Sequence, residues 1–493
     1  KKKYVKLKTV SSGKSSYTDK KREVENGVSL IVKGLNDFGI EIDEGMLSET
    51  DEKGAYGPYT QSKRKDIYQA YVKSLVEQGL AYPCFMTEEE LATIREKQES
   101  EKLLPGVYGE FAKYRDITVE EAQKRIENGD EYVVRLKSPG KEDKRIKFKD
   151  VIKGEIEMPE NILDVVLLKK DGTPTYHFAH VVDDHLMRTT HVIRGDEWIS
   201  SVPIHLQLFW LCGLKPPKYA HISPIMKEEN GGKRKLSKRK DPEAAVSYYS
   251  EVGYPKGAIW EYLMTLANSN YEDWRLANPN EDIDNFKFSF SKMSKAGALF
   301  DMVKLADVSK NYICRLSAEE VYEMVTDWAK ENNKKLYKLL VDDEEYAKAI
   351  FAIERGNAKP RKDISAWTDV ENYVSYFYSE LWDRKFDFPD NLSNDDMIEI
   401  LELYKQIYDE NVSSDDWFPQ VRDMAETIGY AKAPKVYKKD PDSYKGHVGD
   451  VAGVIRVAAT GRRNTPDLYE ILQVLGKDEV MKRFDEAIES LRG

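Results

Sequence analysis

The chain has 493 residues, enough for roughly three or four domains at about 100–200 residues each. Its 41% hydrophobic and 33% charged residues describe a globular chain with several cores, which excludes a fibrous or wholly disordered protein. Against 76 basic residues stand 87 acidic ones, and the formal net charge of −11 excludes a polyanion partner unless the cations are gathered locally.

No apolar run approaches the roughly 20 residues needed to cross a bilayer, and the lysine-rich start lacks a signal peptide's apolar core. Cys84, Cys212 and Cys314 are too few and too scattered for a disulfide framework or a zinc cluster. A cytoplasmic, reduced protein with no membrane association is expected. Residues 1–16 form an atypical basic segment. Its Gly13-Lys14-Ser15 resembles the end of a phosphate loop, but Lys8 stands where that loop needs glycine, so a basic tail is the reading. Val24, Val28, Ile31 and Leu35 share a helical face that stops at Gly39. A second helix starts near Ser62, turns Ile67, Tyr71 and Leu75 inward and ends at Gly79. A charged helix over 87–102 follows, then short strands at 132–136 and 145–148 joined as a hairpin through Ser138-Pro139-Gly140. Apolar runs predict strands at 163–168, 176–182, 191–193 and 219–225, with a helix opening at Val202-Pro203. The last of these strands delivers the chain to residues 233–240, six cations in eight positions. From about 317 onward the pattern is helical, acidic and strand-poor, with Thr465-Pro466-Asp467 starting a late helix.

Two groups of residues could carry chemistry. His177, His180, Asp183, Asp184, His185 and His191 could hold a metal, as in a metal-dependent hydrolase. Strand alternation over 176–182 would send His177 and His180 to opposite faces, so a structural or supporting role is expected. The second group is lysine-rich. Lys235-Leu236-Ser237-Lys238-Arg239 and Lys292-Met293-Ser294-Lys295 both resemble the loop with which class I aminoacyl-tRNA synthetases hold ATP phosphates. Ammonium groups there meet the charge that develops on the α-phosphate and the departing pyrophosphate. Only the first copy follows an α/β segment, as a site at the carboxyl edge of a parallel sheet requires. The 292–295 copy is read as structural.

Tyr176-His177-Phe178-Ala179, Val182-Asp183-Asp184-His185-Leu186-Met187 and His191-Val192-Ile193-Arg194-Gly195-Asp196-Glu197-Trp198 together resemble bacterial glutamyl-tRNA synthetase. Gly57-Pro58-Tyr59-Thr60-Gln61-Ser62, the KLSKR stretch, Ala296-Gly297-Ala298-Leu299-Phe300-Asp301, Thr460-Gly461-Arg462 and Pro466-Asp467-Leu468 extend the likeness over roughly 19–493. The resemblance implies a multidomain α/β plus all-α protein. A class I Rossmann catalytic domain (17–71 and 169–232) is interrupted by a connective, acceptor-binding insertion (72–168). The KLSKR loop and a stem-contact region (233–316) and a helical anticodon-binding domain (317–493) follow. Implied partners are glutamate, tRNA(Glu) and ATP with Mg2+, acting on a monomer. Arg194 is expected to bind a glutamate carboxylate, Tyr176 and Trp198 to wall the amino-acid pocket with His180 beside them, and Glu197 and Leu236 to lie at ATP. Lys238 is the expected main phosphate ligand, assisted by Lys235 and Arg239. Cys84-Phe85-Met86 replaces the family's Cys-x-Cys pair, so no zinc is expected.

The family's Arg-x-Ala-Pro-Ser-Pro-Thr-Gly stretch and HIGH tetrapeptide have no match here, and Thr18-Asp19 alone represents the acidic segment that follows them. The expectation is a glutamate–tRNA ligase with that front segment missing or replaced. As written it would bind tRNA without forming glutamyl-adenylate. A non-aminoacylating tRNA-binding relative is the alternative.

Overall fold

In the computed structural model, which describes residues 5–7, 25–237 and 239–493, the chain divides into two compact units. One comprises Lys1–Ala244 with Leu263–Phe300, the other Ala245–Tyr262 with Asp301–Gly493. Of the expected features, Gly13-Lys14-Ser15, Thr18-Asp19, Val24 and Lys238 lie outside the described residues.

The first unit is α/β. Its parallel sheet runs Val5–Leu7, His191–Gly195, Lys218–Ile222, with His191–Gly195 in the middle. Residues 5–7 therefore do have a partner, although the basic composition around them suggested none. Beside the sheet lie the helices Tyr176–Leu186 and Val202–Leu211. Phe178, Ala179, Val181 and Val182 share a core with Tyr68, Val72, Leu75, Leu208 and Phe209. An antiparallel sheet, Ala81–Cys84, Val133–Leu136, Val166–Leu168, borders the same core.

Three expectations fail here. Residues 176–182 are helix, not strand: the Tyr176–Leu186 helix is buried from Phe178 to Asp184. A helix buried on all sides shows no amphipathic period and reads as a continuous apolar run. The strands at 132–136 and 145–148 do not pair with each other. Val133–Leu136 lies between two other strands, while Arg145–Asp150 forms a hairpin with Gly154–Pro159. The intervening Ser138 is tied down instead, its N–H donating to Asp164 and its hydroxyl to Asn161 O. Last, the cationic stretch does not begin as a loop. Met226–Glu229 and Gly232–Lys235 form an antiparallel hairpin, turned by Asn230 and Gly231, both at positive φ. That Asn-Gly pair is the favoured two-residue hairpin turn.

The second unit is helical around one large core. Its helices start on side-chain caps: Ser317 before Ala318–Asn332, Asp343 before Glu344–Ala352, Ser393 before Asn394–Ile407, Ser413 before Ser414–Thr427 and Asp467 before Leu468–Leu475. Each cap accepts a backbone N–H that the helix itself cannot satisfy. Val325, Leu340, Ile350, Leu401, Val451, Ile455, Ile471 and Phe484 are fully buried between them.

Candidate active site

Arg194 stands on the central strand of the parallel sheet, one residue before its end, and is 3% exposed. Its neighbour on the adjoining strand is His221, in register with it. The guanidinium Nε donates to His221 Nε2 at 3.0 Å, and Nη2 donates to Trp198 O at 3.2 Å with His205 Nδ1 at 3.5 Å. Nη1 is buried and has no hydrogen-bond partner among the described residues. The guanidinium carbon lies 5.0 Å from the Tyr219 ring centre and 5.9 Å from that of Trp198. A buried cation with an unused donor pair is suited to an anionic, planar ligand.

Around it the aromatic residues form a wall. Tyr176, at the first turn of its helix, packs against Trp198 with ring centres 4.7 Å apart and the planes tilted by 48°. The Trp198 indole N–H is a further buried donor without a partner among the described residues. His205, from the Val202–Leu211 helix, lies 5.9 Å from Tyr176 and 4.2 Å from His180, centre to centre. Because 176–186 is helical, His177 and His180 both reach His205, and the opposite-face reading is corrected. His177 Nδ1 is 3.0 Å from His205 Nε2. Burial, then the charge of Arg194, holds the His177 imidazole down at about 4. His180 bridges Asp184 (3.1 Å) and the Tyr219 hydroxyl (3.0 Å), and burial pushes the Tyr176 and Tyr219 phenols upward. Among the described residues no group of three or more His, Cys, Asp or Glu gathers to hold a metal.

Glu197 is exposed, and its carboxylate folds over Gly195. Lys235 ends the second hairpin strand, and Leu236 is tied by its N–H to Ile225 O at 2.9 Å. Lys235 and Arg239 are both exposed. Asp241 braces the chain at Arg234 and Ser237: it accepts both Nη groups of Arg234 (2.6 and 2.7 Å) and the Ser237 N–H (2.8 Å). Lys227 donates to Asp241 and to Glu243. These bonds hold the Asp241 carboxyl well below the usual carboxylate range, the bidentate Arg234 contact contributing most. The other lysine motif serves through its backbone. Lys295 O accepts from Lys153 Nζ (2.6 Å) and Ser223 Oγ (2.8 Å), and Gly297 adopts φ +91° where a Cβ would strike Pro224 O.

The sequence singled out Tyr176, His180, Arg194 and Trp198, which the structure brings together. It passed over His205, Tyr219, His221 and Asp150. The available signal was the alternation Tyr219, His221 on a short buried strand whose parallel neighbour carries Arg194. In the helical unit, Arg462 donates to Asn372 and Ser375 and lies over Tyr376, while Gly461 caps the Val448–Thr460 helix at φ +75°, where the Lys385 carbonyl leaves no room for a Cβ.

Residues 16–307 match the family model described as tRNA synthetases class I (E and Q), catalytic domain, and 442–488 match an anticodon binding domain. The glutamate–tRNA ligase of Clostridium perfringens (strain SM101 / Type A) is 54% identical over 471 residues, covering 95% of this chain and 85% of its own. That of Clostridium beijerinckii is 50% identical over 474 residues, covering 95% and 86%. The crystal structure of a glutamate tRNA ligase from Elizabethkingia meningosepticum in complex with its amino acid superposes with a TM-score of 0.74 at 28% identity, covering 96% of this chain and 91% of that one. No helix among the described residues is long and apolar enough to cross a membrane. A parallel sheet with its arginine at the carboxyl edge, a helical second unit and this degree of likeness make the chain a member of the glutamate–tRNA ligases, within the class I tRNA synthetases.

Proposed function

We propose that the chain joins glutamate to tRNA(Glu) at the expense of ATP, against the expectation that it would bind tRNA without forming glutamyl-adenylate; likeness to glutamate–tRNA ligases over 95% of its length supports the activity. The α-carboxylate of glutamate attacks the ATP α-phosphorus, releasing pyrophosphate with its Mg2+, and the 3′-terminal hydroxyl of tRNA then takes the glutamyl group and frees AMP. No covalent enzyme intermediate is needed, so the rate rests on positioning and charge stabilisation. The observation that carries this reading is the buried Arg194, whose Nη1 has no partner among the described residues, walled by Tyr176 and Trp198. It takes one carboxylate of glutamate, and His180 lines the pocket through its bond to Tyr219. Glu197 and Leu236 flank the nucleotide. Lys238, with Lys235 and Arg239, meets the phosphates as charge develops on them. Residues 72–168 take the acceptor end of the tRNA, 233–316 the stem and 317–493 the anticodon. The enzyme works as a monomer in the cytoplasm.

The test is charging of purified tRNA(Glu) with radiolabelled glutamate, with AMP release measured in parallel. Glutamyl-tRNA and AMP should appear in equal amounts. Tight tRNA binding without ATP–pyrophosphate exchange would replace this reading with that of a non-aminoacylating tRNA-binding relative.

A further inference from the structure

A buried arginine is ordinarily paired with a carboxylate, because an uncompensated charge in a protein interior is costly. Arg194 is not. Its Nε–H is directed at His221 Nε2, and its other hydrogen-bond neighbours among the described residues are the Trp198 carbonyl, His205 and the Tyr176 hydroxyl, none of them an anion. Behind His221 stands Asp150, 1% exposed, with Oδ2 at 2.7 Å from His221 Nδ1. Asp150 is itself clamped by the backbone N–H groups of Ile152 (2.9 Å), Lys153 (2.8 Å) and His221 (3.1 Å).

The tautomer follows from donor counting. An arginine Nε can only donate, so His221 Nε2 must accept, and the ring proton resides on Nδ1, facing Asp150. His221 is therefore a neutral acceptor that orients the guanidinium without neutralising it. The negative charge of Asp150 is kept one imidazole further away. A carboxylate at the His221 position would hold Arg194 as firmly but would consume the charge on which an incoming carboxylate depends.

We infer that Asp150 and His221 form a positioning pair that aims Arg194 Nη1 at the substrate and preserves its full positive charge for a carboxylate of glutamate. This rests on the reading of Arg194 as the carboxylate-binding residue. Substrates lacking the bound carboxylate gain nothing from the pair, so it acts on selection of the anionic amino acid as well as on its affinity.

ATP–pyrophosphate exchange in the presence of tRNA(Glu) tests this, with glutamate and ATP varied separately. Arg194→Met is the control for the underlying reading and should raise the glutamate KM by ~30-fold or more. In His221→Gln a neutral oxygen replaces Nε2, and the glutamate KM should rise only about threefold to fivefold, the range expected when one neutral hydrogen bond replaces another. In His221→Glu an anion occupies the same place, and the glutamate KM should rise by ~30-fold or more while the ATP KM stays within about twofold. Asp150→Asn, which loosens the ring without adding charge, should fall between the two. Equal effects of His221→Gln and His221→Glu would overturn the charge-preserving role. An unchanged glutamate KM in Asp150→Asn would overturn the pair even if His221→Glu failed to fold. If Arg194→Met left the glutamate KM unchanged, the carboxylate reading itself would fall. If only the His221 and Asp150 variants did so, that reading would stand without the pair.

Discussion

Asp183→Asn should loosen the wall of the amino-acid pocket from behind. Asp183 is buried at 6% exposure on the helix that carries Tyr176 and His180. It receives Arg64 Nε at 2.9 Å and the Tyr68 hydroxyl at 2.9 and 3.0 Å. Arg64 is 3% exposed and also donates to the Tyr56 and Pro58 carbonyls at 3.1 Å. The asparagine keeps the shape and one acceptor oxygen but removes the charge, which leaves a guanidinium buried without a counter-ion. Two unit charges about 4 Å apart interact by about 4 kcal/mol at an effective dielectric of 20, and breaking buried pairs costs about 3–5 kcal/mol. At 1.4 kcal/mol per tenfold, 3 kcal/mol corresponds to roughly a hundredfold in a local opening equilibrium. Hydrogen exchange read by mass spectrometry on peptides from Lys65–Glu77 and Tyr176–Leu186 reports that opening directly. Exchange in both helices should accelerate by roughly a hundredfold. The double variant Arg64→Met/Asp183→Leu, which removes both charges, should recover part of the loss. An acceleration below about threefold, which is under ~1 kcal/mol, would refute the claim that this ion pair pins the helix.

Lys238→Ala should slow adenylate formation by about 10²–10³, the loss expected for one charge-stabilising donor, and Lys295→Ala should leave it intact because Lys295 engages Lys153 and Ser223 through its carbonyl; single-turnover activation rates decide between the two motifs. Asp241→Asn should raise the ATP KM by releasing Arg234 and the Ser237 N–H, with the glutamate KM unchanged; an equal rise in both would show that the brace is not specific to the nucleotide side. His177 binds its proton at about 4 when folded against an ordinary value of 6.5, so between those values the unfolded chain carries the extra proton. Stability is therefore complete above 6.5 and is lost as the pH falls toward 4. His177→Gln should flatten that loss, and denaturation midpoints at pH 7 and pH 5 that shift equally in both proteins would contradict it.

Arg194, Tyr176 and Trp198 were singled out by the likeness of their runs to bacterial glutamyl-tRNA synthetase, and the structure brings the three together. The helix bearing Tyr176 was not legible, since its burial on every side erased the period that distinguishes helix from strand. The same error separated His177 from His180, whose meeting at His205 depends on helical spacing. The false hairpin at 132–148 had a different cause: Ser138-Pro139-Gly140 carries turn chemistry, but Asp164 and Asn161 engage Ser138 from far along the chain. Local signals cannot report such partners. His221 and Asp150 escaped for the same reason, being joined across 71 residues. By contrast the helical pattern from about 317 onward, and the helix start at Thr465-Pro466-Asp467, follow from residues adjacent in sequence and were legible, although the separate caps were not picked out.

Those caps bear on how an acidic chain holds an acidic nucleic acid. Behind the caps, the first turns carry Glu319 and Glu320, Glu344 and Glu345, Asp395 and Asp396, Asp415 and Asp416, and Glu470. Each helix presents about half a positive charge at that end, so these carboxylates face a field of opposite sign close at hand. The formal charge of −11 consequently overstates the repulsion felt by a phosphate approaching from elsewhere on the surface. It also limits redesign. Replacing these acids with neutral residues to strengthen tRNA binding would remove charges that hold helix ends together, each at about 0.3–1 kcal/mol. The second unit would fray at its helix starts while its affinity for tRNA changed little.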